Sequence, residues 1–278
     1  YYSDTGVPAG KPDAQTIVFG HGMLFSGWLF HHQIDALRDS YRCVAIDWRG
    51  QGASNAPAGE YDMDTLTEDA VALINELGVD KVHYVGLSMG GFVGIRLAAR
   101  HPELLRSVTL LDTSAMPEDQ DNVGKYRTLA RAYRIIGIKP IAKKVYPIMF
   151  GSKSLANPAM KPVIAEWVSQ LSRVKRAGMV KAIYGVVDRN GVEEELANIK
   201  LPTLVVVGAE DAATPVHKSQ AIAGRIAGAR FEVVADSGHS STLEKPAEIT
   251  KLIRDFAAAN STGALKTQGA LGSLLGSK

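Results

Sequence analysis

The sequence predicts an α/β protein: a mostly parallel sheet with helices on both faces and one helical insertion. Three observations carry this expectation. Short β-branched runs recur along the chain, helical patterns separate them, and several of the runs are continuously apolar instead of alternating. Continuous runs suit parallel strands covered on both faces. Regular alternation of strand and helix builds a layered α/β sheet.

The runs, in order, are TIVFGHG from Thr16, RCVAIDWRG from Arg42, KVHYVGLS from Lys81, SVTLLDTS from Ser107, TLVVVGAED from Thr203 and RFEVVADSGH from Arg230. Between them, Leu66, Ala70, Leu73, Ile74 and Leu77 form one helical stripe, and Ile249, Leu252, Ile253 and Phe256 form another. The alternation stops between Ala115 and about Leu196. There, helix formers punctuated by Pro140, Pro147, Pro158 and Pro162 contain no strand pattern. Such an insertion, between one strand and the next, is expected to cap the carboxyl edge of the sheet. The expected organisation is a core of residues 1–114 and 197–260, a cap of 115–196 and a flexible tail of 261–278, whose STGALKTQGALGSLLGSK is small and Gly/Ser-rich. The opening YYSDTG reads as the middle of a strand, with the expectation that native residues precede it.

At 278 residues, with 46% hydrophobic and 22% charged, the chain has the composition of a globular protein with a sizeable core. A net charge of +2 without a block of like charges argues against nucleic-acid and membrane partners. The charge is uneven, however: 115–200 holds 15 Lys+Arg against 8 Asp+Glu, a local +7 against −5 elsewhere. That excess is either a solvated outer face or a mouth that attracts anionic substrates. Cys43 is the sole cysteine, so neither an intramolecular disulfide nor a cysteine-based zinc site is available, in keeping with an expected cytoplasmic setting. Neither a leader pattern nor an apolar run long enough for a membrane span occurs in the sequence.

The stretch HYVGLSMGGFVGIRLAARH begins as a buried strand and continues as a helix, with Ser88 at the junction. Its GLSMGG fits G-x-S-x-G, the nucleophile elbow, in which a sharp strand-to-helix turn lifts the serine hydroxyl above the sheet. The strained backbone demands small residues two before and two after the serine, and Gly86 and Gly90 supply them. A helix N-terminus beside the hydroxyl favours developing negative charge.

A serine hydroxyl needs a base within hydrogen-bond reach and a third group to orient that base. The expected chain order is serine, acid, histidine. Of the seven histidines, His239 stands out, because it lies after the final strand in the Ser-Gly loop VVADSGHSSTLEKP. His31, His32, His83, His101 and His217 read as surface or structural residues, and His21 as a loop former. The favoured acid is Asp211 in VVVGAEDAATP, with Asp112 in LLDTS as its rival; Glu210 should point away, and Asp236 is too near His239 in sequence to orient it. The oxyanion of a tetrahedral intermediate needs backbone donors, worth roughly 3 to 4 kcal/mol each in other enzymes. Those expected are the N–H groups of Met89 and Met23, with Leu24 in reserve for the latter.

Taken together, HGMLFSGW, DWRGQGAS, GLSMGG, GAEDAATP and SGHSSTLEKP resemble the α/β-hydrolase superfamily from Thr16 to Asn260. Within it the chain is similar to compact bacterial hydrolases with a helical cap, such as 3-oxoadipate enol-lactonases, acyl-homoserine lactonases, arylesterases and cofactor-free haloperoxidases. Serine at 88 disfavours the dehalogenases and epoxide hydrolases, which use aspartate. Met23 and Leu24 stand where haloperoxidases usually carry an aromatic residue and a proline, which weakens a perhydrolase reading. The resemblance implies an ester or lactone substrate, acyl-enzyme chemistry and neither metal nor organic cofactor. The favoured substrate is an acyl lactone such as an N-acyl-homoserine lactone. Leu24, Tyr146, Met149 and Trp167 are expected to line its pocket, with Tyr133, Ile148, Phe150 and Met179 as further apolar cap residues. Carbon–carbon bond hydrolysis uses the same triad. A non-catalytic receptor on this fold is disfavoured, because such proteins often lose a triad member and all three are present here.

Overall fold

The computed structural model of the chain describes residues 1–261. The tail expected over 261–278 lies, from 262 onward, outside the described residues. Seven strands form one sheet in the order β1-β3-β2-β4-β5-β6-β7. They are β1 (Tyr2–Asp4), β2 (Thr16–Gly20), β3 (Arg42–Ile46), β4 (Val82–Leu87), β5 (Leu105–Leu111), β6 (Thr203–Gly208) and β7 (Arg230–Val234). Only β1 runs antiparallel, with Tyr2 opposite Ile46; every other pairing is parallel.

Side-chain alternation divides the core. Ile17, Phe19, Ala45, Val85 and Leu204 pack on one face with α1 (His31–Leu37) and, nearer the carboxyl end of the chain, the helix Pro246–Ala259. Val18, Val44, Tyr84, Val108 and Val205 pack on the other with α2 (Met63–Glu76), α3 (Met89–Arg100) and the helix Val216–Arg225. Both faces are therefore dry, which is why the strands read as unbroken apolar runs.

Between β5 and β6 the chain forms α4 (Gln120–Ile136), α5 (Ala142–Met149), α6 (Ser152–Ala156), α7 (Met160–Arg173) and α8 (Arg176–Val187). The remaining helices are α9 (Val216–Arg225), α10 (Ser241–Glu244) and α11 (Pro246–Ala259). Two of the prolines read as punctuation lie inside helices. Pro162 occupies the first turn of α7, where an N–H has no intrahelical partner to lose, and Pro147 sits in short α5. The two ends of the helical stretch are joined to each other. Val192 N donates to Ala115 O, and Arg189 pairs with Glu118 at 2.8 Å, both side chains buried. The Arg189 guanidinium also covers the Phe92 ring of α3 at 4.3 Å from its centroid. A fixed base thus lets five helices leave the sheet after β5 and return at the adjoining β6, whose Thr203 lies opposite Val108 of β5.

Candidate active site

Ser88 joins β4 to α3 with φ 52 and ψ −111, a left-handed conformation costing on the order of 1–3 kcal/mol for a residue with a side chain. Packing of the fully buried strand on one side and of the buried Met89–Ala98 stretch of the helix on the other holds it there. The glycines are required by contact. A Cβ on Gly86 would fall on the Gly90 carbonyl, and one on Gly90 would fall on the Gly20 carbonyl of β2. Thr113 Oγ1 donates to Ser88 O at 2.8 Å and secures the turn from the end of β5.

Asp211 follows β6 and is buried; its carboxylate accepts from Ala213 N and Thr214 N at 2.9 Å and from Thr214 Oγ1 at 2.8 Å. This local turn, natural to an Asp-Ala-Ala-Thr sequence, fixes the carboxylate towards the next loop. There His239 Nδ1 lies 2.9 and 3.0 Å from its two oxygens. An ionised carboxylate only accepts, so Nδ1 carries the proton and Nε2 is free to act as a base. Burial lowers the His239 pKa, but Asp211, by charge and hydrogen bond, and Asp112 and Glu244 outweigh it, so the imidazole titrates above its ordinary value. Ser88 and His239 line one cavity without a hydrogen bond between them, a separation common in the absence of substrate.

Asp112, the rival acid, is fully buried and reaches other partners: it accepts from Gly208 N at 2.8 Å and is bonded to Ser241 Oγ. Burial, then the charge of Asp211, push its pKa well above the carboxylate range. Glu210 turns away to Ser152, and Asp236 is exposed. His21 is engaged through both nitrogens, donating to Gly22 O at 2.7 Å and accepting from Trp48 N at 3.2 Å, as befits a loop former. His83, buried between Ser107 and Gln15, has its pKa pushed down to about 4 by burial.

Met23 and Leu24 border the same cavity as Ser88. Leu24 N donates to Gln51 Oε1 at 3.2 Å, which removes it as a donor for substrate; Met23 N and Met89 N donate to none of the described residues. Gln51, not singled out in the sequence, also reaches Met89 Sδ at 3.8 Å and so bridges the two segments that flank Ser88. Its position between the two glycines of RGQG, beside a loop that must stay ordered, was the available signal.

The cavity encloses about 780 Å³, including its open mouth. Ser88, His239, Ala213 and Thr214 form its floor; its walls come from Tyr126, Leu129, Ala130 and Tyr133 of α4, from Ile138, Ile141, Val145, Ile148 and Met149, and from Ile183 and Val186 of α8. Leu24 and Met149 line it as expected, but Tyr146 and Trp167 do not. The Trp167 indole N–H is bound to Leu24 O at 2.9 Å, and its ring packs among Phe25, Tyr146 and Phe150, behind the wall. Phe150 and Met179 are buried away from the cavity as well. The wall residues that went unnamed follow helical spacing, 126/129/130/133 and 138/141/145, a stripe readable in principle.

Among the described residues no Lys or Arg lines the cavity, and its one carboxylate besides the acid turn, Glu118, is paired with Arg189. The other basic residues of 115–200 are exposed or half-exposed, so the excess charge is an outer face and not a mouth for anions. No cluster of three or more His, Cys, Asp or Glu among the described residues is arranged to hold a metal ion, and no helix there is long and apolar enough to cross a membrane.

Comparison with known proteins agrees with this fold. A family model described as the α/β hydrolase fold matches residues 15–136. An esterase from Thermogutta terrifontis superposes with a TM-score of 0.85 at 28% identity, covering 94% of each chain. The enol-lactonase from Burkholderia xenovorans LB400 does so with 0.84 at 28%, covering 93% of this chain and 96% of its own. The 3-oxoadipate enol-lactonase 2 of Acinetobacter baylyi is 28% identical over 238 residues, 85% of this chain and 86% of its own. The chain has the α/β-hydrolase fold. Over most of its length it is similar to lactonases and esterases.

Proposed function

We propose that the protein is a serine hydrolase of neutral carboxylic esters and lactones, with a medium-chain acyl lactone such as an N-acyl-homoserine lactone as its favoured substrate. The observation that carries this is the shared cavity: Ser88 and the Asp211-oriented His239 lie at the floor of an apolar chamber that no Lys or Arg among the described residues lines. An acyl chain gains on the order of 0.8 kcal/mol per buried methylene in such a chamber, whereas a free carboxylate would lose its water without finding a cation. The similarity to lactonases and esterases supports the chemistry, and the apolar walls support the acyl chain.

In this reading Ser88 Oγ attacks the carbonyl carbon while His239 Nε2 takes the hydroxyl proton. The N–H groups of Met23 and Met89 stabilise the oxyanion, and Asp211 stabilises the imidazolium. His239 then protonates the leaving alkoxide, which in a lactone is the ring oxygen. The resulting acyl-enzyme is hydrolysed by a water that gives its proton to Nε2, and collapse of the second tetrahedral intermediate returns that proton to Ser88. Residues 1–114 and 197–260 act as the catalytic core and 115–196 as a cap whose inner helices form the acyl pocket.

The test is covalent capture. A fluorophosphonate should add one phosphonyl group per chain, and peptide mass spectrometry should find it on Ser88. Ser88→Ala should take up none and lose turnover by roughly 10⁴-fold or more while unfolding like the parent. Label on another residue, or a variant as active as the parent, would contradict the reading.

A further inference from the structure

The segment between α5 and α6 is tied by polar bonds to both loops that carry the candidate catalytic acid and base. Ser240 Oγ donates to Met149 O at 2.6 Å. Gly151 N donates to Glu244 Oε2 at 2.9 Å. Ser152 Oγ donates to Glu210 Oε2 at 2.6 Å, and Glu210 immediately precedes Asp211. The backbones are in contact here too: a Cβ on Gly238 would fall on Gly151 N, so neither glycine has room for a side chain.

Glu244 is the centre of this arrangement. Its buried carboxylate accepts three backbone N–H bonds: Ser240 N at 3.0 Å, Gly238 N at 3.0 Å and Gly151 N. Gly238 and Ser240 flank His239, so one side chain grips the amide N–H of the residue on either side of the imidazole and, through Gly151, the segment that follows cavity-lining Ile148 and Met149. A helix of four residues, α10, has little rigidity of its own, and the loop before it contains Ser-Gly-His-Ser. Without the carboxylate, three buried amides would lack an acceptor and the loop would lack its fixed point.

We propose that Glu244 is a positioning residue that holds His239 over Ser88 and fastens it to the acyl-pocket wall, so that wall and base move as one unit. The inference rests on the serine-hydrolase reading above. Its consequence is that filling the pocket steadies the base: binding energy of the acyl chain is expressed in kcat and not only in KM. Substituting Glu244 therefore uncouples chain length from kcat.

The experiment compares the parent with Glu244→Gln on p-nitrophenyl esters of increasing acyl length, with folded fraction followed by circular dichroism. Glutamine keeps the size but removes the charge and one acceptor oxygen. The expected result is a kcat about tenfold lower, KM within about twofold for the short ester, and loss of the rise in kcat with chain length. The acid limb of kcat/KM should also move to lower pH. Three carboxyl groups face His239 (Asp211 in the acid turn, Asp112 after β5 and Glu244 in α10), and removing one charge favours the neutral imidazole. A folded variant with the parent's kcat, chain-length trend and acid limb would overturn the proposal. If Glu244→Gln does not fold, Ser240→Ala severs only the Met149 tie; it should lower kcat severalfold for the long ester, and an unchanged trend would overturn the proposal equally. Lack of Ser88-dependent turnover in the parent would instead remove the hydrolase reading itself.

Discussion

At the scale of residues, three carboxyl groups face His239, and geometry separates the contacts of the two that follow strands. Asp211 faces Nδ1, whereas Asp112 is spent on Gly208 N and Ser241 Oγ. Asp211→Asn is expected to lower kcat by orders of magnitude, about 10⁴-fold on the scale of other triads, while Asp112→Asn, which keeps an acceptor for Gly208, should cost far less. The reverse ranking would move the acid to β5. The sign of the pH dependence follows from the same contacts. The folded-state pKa of His239 is raised, so the imidazole keeps its proton to higher pH and the base is lost as pH falls through that value. The acid limb of kcat/KM should therefore lie above the 6.5 of ordinary histidine, and an isolated-imidazole midpoint would contradict the pairing.

At the scale of elements, the elbow was legible because its chemistry is written in glycines: Gly86 and Gly90 sit where any Cβ would strike backbone. Gly90→Ala should destabilise the fold by roughly 1–3 kcal/mol and displace the serine, seen as a lower denaturant midpoint together with slowed fluorophosphonate labelling. The meeting of Ser88, Asp211 and His239 was legible as well, since each follows a strand and the sheet brings strand ends together. Pocket walls were less so. Trp167 and Tyr146 are apolar enough to line a cavity, but which side of α5 and α7 faces inward depends on the helices packed behind them, and the Trp167 N–H is claimed by Leu24 O. Gln51 and Glu244 went unnoticed because they act on backbone amides, which leave little trace in residue type. The Glu118–Arg189 pair that closes the base of the five-helix stretch was equally hidden, its members being 71 residues apart. Arg189→Ala strands a buried carboxylate and should cost about 3–5 kcal/mol in equilibrium unfolding.

At the scale of the molecule, a mostly parallel sheet presents Ser88, Asp211 and His239 from its carboxyl edge, and the helices between β5 and β6 form the chamber above them. The cationic surplus of 115–200 faces outward, and among the described residues no Lys or Arg lines the chamber, which suits the proposed selection by acyl length in place of charge. Proton release from N-acyl-homoserine lactones of graded chain length, with a carboxylate-bearing enol-lactone and the Ser88→Ala variant alongside, tests this most directly. The account predicts Ser88-dependent opening of the acyl lactones that improves with chain length, and little turnover of the carboxylate-bearing ring. Faster opening of the carboxylate-bearing lactone, or turnover indifferent to chain length or to Ser88, would contradict it.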